Sequence, residues 1–133
     1  MTLRTKGIYE PIDPSDGKRI SVMSRHTEDD GKEPDARIIE GVTFHEWEKK
    51  LGPPLKLIGA YYRGGCVWEP FEDGYLAHLR SDEISLQVKK FAKRSLEEDL
   101  TFLCKEPTPE HCHRRLLAEE CKRYEPNLEL VIR

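Results

Sequence analysis

"DLTFLCKEPTPEHCHRRLLAEECKRYEPNLELVIR", residues 99–133, is the stretch that decides the fold. Residues 99–104 form a short, mostly apolar run and read as a buried strand. Residues 108–124 read as a helix. Thr108 stands as its N-cap, Pro109 at its first position and Glu110 in the first turn, where the helix dipole favours an anion. Pro126 ends that helix, and residues 127–133 alternate as a final strand. A strand, a helix and another strand in that order suit a parallel sheet.

Upstream, residues 3–9 and the β-branched run at 19–23 read as strands, separated by a Pro/Asp/Gly turn. Residues 24–35 form a polar loop of a length usually reserved for function or mobility. Residues 41–54 carry helix punctuation: Thr43 and Glu46 fit a capping box, Val42 and Trp47 a hydrophobic staple, and Gly52, Pro53 and Pro54 a stop. Helices are predicted over 55–65, over 68–80 with Phe71, Tyr75 and Leu79 on one face, and over 81–95 with Ile84, Val88 and Phe91 inward. The expected architecture is α/β: a single three-layer domain over residues 1–133, with a mainly parallel sheet flanked by helices.

A formal net charge of -3 argues against a nucleic-acid polycation. No apolar run reaches the length of a membrane span, and "MTLRTKGIYE" lacks the apolar core of a secretion signal. A cytoplasmic location and free thiols at Cys66, Cys104, Cys112 and Cys121 are therefore the expectation. No C-x-x-C pair is present, which removes zinc-ribbon and thioredoxin-type motifs.

The chemistry gathers where the strand at 99–104 turns into the helix. Ligands in open α/β sheets bind outside the carboxyl ends of strands, and free N–H groups at a helix start cradle anions. At about 100° per residue His113 shares the inward stripe with Leu117, with Arg114 at its rim and Cys112 at its edge. His111, Arg115 and Lys122 fall on the wet side. Cys104 and His113 are the inward pair, either a nucleophile with its acid–base partner or a core cysteine and a satisfied core histidine. Metal binding is the rival. His111, Cys112 and His113 splay around a helix, so Cys104 with Cys112 or His113 supplies two ligands to zinc or iron, and a third must come from His26, Cys66 or His45. No cofactor is predicted.

"LCKEPTPEHCHRRLLAEE" resembles the C-terminal signature of the family known as domain of unknown function 488. There a strand ending in cysteine is followed by an acidic residue, a proline and a Cys-His-Arg helix start. The matching positions are Cys104, Glu106, Pro109, Cys112, His113 and Arg114. "LRTKGIYEPIDPSDGKRISVMSRH" is similar to the N-terminal half of small members, where two strands lead to an arginine-bearing loop. The resemblance implies a compact α/β fold with the cysteine loop at one end of the sheet, and no agreed reaction. It also suggests that the loop of Ser24, Arg25 and His26 meets the loop from Cys104 to Arg114 if their strands are parallel neighbours.

The first expectation is thus a pocket for a phosphate-, nucleotide- or carboxylate-like anion. Arg25 and Arg114 would pair with it, Ser24, His26, Glu106, Thr108, Cys112 and Tyr62 would line it, and Cys104 with His113 could act on it. The second is a non-enzymatic nucleic-acid or protein module using the "HRR" and "KRYEP" cations with Tyr61 and Tyr62 as stacking surfaces. A monomer or a homodimer suits either.

Overall fold

Three apolar or β-branched runs from distant parts of the chain pair side by side. In the computed structural model, which describes residues 1–28, 30–62 and 67–133 and only the backbone of Tyr62, β1 (Thr2–Gly7) and β2 (Lys18–Ser21) flank β4 (Leu100–Cys104). β3 (Glu46–Trp47) and β5 (Glu129–Ile132) complete the order β3-β2-β4-β1-β5, and every ladder is parallel. β4 sits at the centre with all five residues buried, as suits its mostly apolar run. Its register sets Leu100 beside Leu3 and Phe102 beside Ile20.

One face of the sheet carries the helices. Leu3, Ile20, Leu100 and Phe102 join a core with Phe71, Tyr75 and Leu79 of α2 (Trp68–Leu79), Val88 and Phe91 of α3 (Asp82–Glu97), and Leu117 and Cys121 of α4 (His113–Tyr124). Leu57 and Tyr61 of α1 (Leu55–Tyr62) pack on its margin. Burying each large apolar side chain contributes about 1.5–3 kcal/mol. The helical periodicities read from the sequence are the ones that make these contacts.

The α/β class and the parallel sheet therefore hold, and the layer on the other face is made of loops. Lys6, Arg19 and Thr101 point there, into segments 8–17 and 24–46. Asp16, at the end of a short 3-10 turn, accepts from Lys6 Nζ at 3.0 and 3.1 Å and from Arg19 Nη1 at 2.6 Å, with all three side chains buried. Ile8, Met23, Phe44 and Leu103 form a second apolar cluster on this side, with Ile38 against it.

Two predicted elements are corrected. Residues 41–54 do not form a helix. Thr43 Oγ1 accepts from Ile39 N and donates to the Arg37 carbonyl, closing a turn. Glu46 takes a forked pair of bonds from Arg94, and Trp47 Nε1 donates to the Met23 carbonyl, which draws 46–47 out as a strand on β2. A single 3-10 turn, Lys49–Leu51, follows. Gly52 serves close approach, since a Cβ there would lie 2.6 Å from Ser24 Oγ. Long-range pairing has overridden a local helix signal.

The second correction is the start of α4. The helix begins at His113 with Cys112 as N-cap, so Thr108 is an exposed loop residue. Side chains of its first turn reach back and tie the loop down: Arg115 donates to the Pro109 and Glu110 carbonyls, Arg114 to that of Glu106.

Candidate functional site

The carboxyl ends of β1, β2 and β4 open on one side of the sheet, and α4 starts just above them. Cys104, the last residue of β4, and Cys112, the N-cap of α4, meet there and are bonded sulfur to sulfur. This corrects the expectation of free thiols at these two positions. Cys121 remains free and buried, and burial pushes its thiol well up. Both bonded residues are almost wholly buried.

Behind the two sulfurs stands Arg114. The sequence placed it at the rim, but it is fully buried, because its side chain turns beneath the 105–112 loop. Nη1 lies 3.3 Å from each sulfur and donates to the Glu106 carbonyl at 2.5 Å. Nε and Nη2 donate to the main-chain oxygen of Arg133 at 3.1 and 3.0 Å. Burial lowers its pKa, and the negative charges of Glu10 and Glu106 only partly oppose this.

His113 is half-buried, with its ring edge-on to Tyr75 at 5.4 Å between centroids. Its Nε2 is 2.7 Å from the Val22 carbonyl. A carbonyl only accepts, so Nε2 is assigned the proton and Nδ1 the lone pair. Burial holds the pKa down at about 4; the carbonyl bond opposes this and nearby Arg114 adds to it. The imidazole is therefore neutral at pH 7.

These groups border a cleft of about 960 Å³ whose other wall is the loop after β2. Arg25, Lys32 and Arg37 line that wall together with Glu28 and Asp30, and His111 borders the cleft as well. Arg25 packs over Gly31, where a Cβ would come within 2.9 Å of the guanidinium carbon. The positive φ of 72° at Gly31 also favours glycine. Among the described residues Arg25 makes no hydrogen bond or close ion pair, and its charge acts on Asp30 only at longer range. Arg37, in contrast, is fixed. It bonds Asp35 at 3.0 Å and lies 4.1 Å over the Tyr9 ring, and Tyr9 donates a short hydrogen bond to Asp35. The Arg37 bonds hold the Asp35 carboxyl well below the usual range, against the pull of burial.

Cys104, Cys112, His113, Arg25, Ser24 and Glu106 share the cleft. The Ser24 hydroxyl is already committed to the Pro53 carbonyl by a short bond. His26 is elsewhere: it stacks on Trp47 at 3.8 Å and sits 2.7 Å from Ser21 Oγ. Thr108 is outside the lining, and Arg114 stands behind it. The Tyr62 side chain, Arg63 and Cys66 lie outside the described residues. Sequence reasoning missed Lys32, Arg37 and Tyr9. The signal available was the long polar loop at 24–35, whose cations needed a fold to be aimed at anything.

The metal arithmetic is also corrected. Cys104, Cys112 and His113 each offer one ligand atom, all within 4.8 Å of one another. Cys112 and His113 converge because Cys112, at φ -133° and ψ 139°, is extended, so the helical step of about 100° does not separate them. His45, a third ligand expected from the sequence, instead accepts from Arg19 N at 2.9 Å through Nδ1.

The family described as "Domain of unknown function DUF488" matches residues 5–121. The uncharacterized protein YeaO of Escherichia coli (strain K12) is 27% identical over 119 residues, covering 90% of this chain and 96% of that protein. No solved structure shows significant similarity.

Proposed function

The chain belongs to the DUF488 family, whose description names no reaction, and from the cleft itself we propose that it binds a phosphate- or nucleotide-like small anion. One observation carries this reading: Arg25 lines the cleft and, among the described residues, makes no hydrogen bond or close ion pair, beside Lys32, Arg37 and His111. A guanidinium held over a glycine, with its donors free, is suited to a forked bond with a phosphate or carboxylate. The net charge of -3 favours a small anion held by a few cleft cations over a polynucleotide on a basic face. With the Cys104–Cys112 bond reduced by a thiol, Cys104 can attack a phosphoryl group of the bound molecule, its proton passing to His113 Nδ1 and on to the displaced oxygen, which leaves into the cleft as the bond to phosphorus breaks.

Calorimetric titration with inorganic pyrophosphate and with a nucleoside triphosphate tests the reading. Losing one charge-assisted hydrogen bond removes about 1.5–3 kcal/mol, so Arg25→Ala should weaken binding at least about tenfold. Unchanged affinity in that variant, or no saturable binding to the native chain, would defeat it. An oligonucleotide that binds with steep salt dependence while pyrophosphate does not would move the reading to a nucleic-acid module.

A second reading, a protein that holds zinc or iron, is favoured by the Cys104, Cys112 and His113 cluster. Two thiolates and an imidazole suit a borderline divalent ion, and Nε2–H of His113 bonded to a carbonyl is the outer support such a ligand ordinarily has.

A further inference from the structure

We infer that the Cys104–Cys112 bond and a bound divalent metal are alternative states of one cluster, and that the metal state has an open position facing the anion cleft. The inference rests on the zinc- or iron-holding reading and adds its control and its fourth ligand. Four observations carry it. Cys104, Cys112 and His113 bring their ligand atoms within 4.8 Å of one another. All three residues line the same cleft, so an ion held by them has protein on one side and the cleft on the other. The Cα atoms of the two cysteines are 7.7 Å apart. That is wider than the roughly 4.4–6.8 Å a disulfide usually spans, and it suits two sulfurs on either side of an ion, about 3.8 Å from each other at zinc–sulfur bonds of ~2.3 Å. Finally, Arg114 Nη1 is 3.3 Å from both sulfurs and buried behind them. It cannot ligate a metal, but it can donate to thiolates in either geometry.

The charges point to the fourth ligand. Two thiolates neutralise a divalent ion, and Arg114 leaves the cluster with one positive charge. An anion in the cleft, or water, completes the coordination. Three protein ligands with one position open are the arrangement of reactive zinc sites, and closed structural sites use four.

The change of state balances as follows. A dithiol reductant delivers two electrons and two protons, the sulfur–sulfur bond breaks to two thiols, and the reductant leaves as its own disulfide. The divalent ion then displaces both thiol protons to solvent. Oxidation reverses this and ejects the ion.

The test uses the whole chain, reduced with a phosphine under anaerobic conditions and titrated with Co²⁺. The expected result is one cobalt per chain with a thiolate-to-cobalt charge-transfer band, and an affinity at least a hundredfold lower after oxidation with diamide. Inorganic phosphate should shift the ligand-field bands of the bound cobalt. Cys104→Ser and His113→Gln should each weaken binding, with circular dichroism confirming that the variants fold; the redox comparison needs no variant. No charge-transfer band in the reduced chain overturns both the metal reading and this inference. Equal cobalt affinity in the reduced and oxidised chain overturns the alternation while sparing the metal reading. Bands indifferent to phosphate overturn the open position.

Discussion

Arg114→Met is the perturbation that most directly tests the account of the site's floor. The guanidinium is fully buried and gives five hydrogen bonds, to the Arg133 and Glu106 main-chain oxygens and to the two sulfurs. Methionine fills much of the same space, so little cavity is left. What is lost is chiefly the guanidinium's bond to the half-buried Glu106 carbonyl, at about 1–3 kcal/mol, while the Arg133 oxygen keeps a donor in Thr5 Oγ1 at 3.2 Å. Against this, removing a buried cation recovers part of a desolvation penalty of several kcal/mol. The lost bonds outweigh the recovery, because the guanidinium is matched to its acceptors and already well satisfied. The expected net loss is about 1.5–3 kcal/mol, or a melting temperature lower by roughly 5–12 °C for a chain of this size. Arg114→Lys should lose about as much, since one ammonium nitrogen cannot span acceptors on opposite sides of a planar fork. Urea denaturation of both variants, oxidised and reduced, measures this. A loss below about 1 kcal/mol in the methionine variant would show that the Arg114 network does not hold the 105–112 loop, and the reasoning would fall.

Two further outcomes follow from the buried charges. Asp16→Asn leaves Lys6 and Arg19 buried without their carboxylate and should cost about 3–5 kcal/mol by urea titration; a near-neutral result would mean that this face of the sheet is wetter than its burial implies. Burial of Glu120 would raise its pKa, but the bonds from Arg80 and Arg123 overcome it and hold the carboxyl at about 2. A pKa lowered by folding gives stability that is present above the unfolded value of 4.5 and is lost as pH falls through about 2. Both arginines are about half exposed, at 49% and 51%, so the contribution is discounted to roughly 1–2 kcal/mol. The gap in urea midpoint between the native chain and Glu120→Gln should therefore be widest at neutral pH and narrow steadily below pH 4.5; a gap independent of pH would contradict it.

The sequence by itself determined the central strand, the helices and the place of the chemistry. A short run as apolar as 100–104, broken only by Thr101, reads as a strand buried on both faces, and Ile84, Val88 and Phe91 fall on one helix face whatever they pack against. Cys104, Cys112, His113 and Arg114 announced a site at the strand-to-helix junction for the same local reason. Only the tertiary structure decided the rest. Glu46 and Trp47 left a well-punctuated helix because Arg94, the Met23 carbonyl and the edge of β2 hold them elsewhere. Arg114 moved from rim to floor, and Cys112 and His113 converged, because Arg114 and Arg115 fold the 105–112 loop back and leave Cys112 extended. The cations of the 24–40 loop became a cleft wall only once β2 and β4 lay side by side. Periodicity and capping act within a few residues, and so can be read along the chain. Partners such as Arg94 and Glu46, 48 positions apart, meet only when the chain has folded.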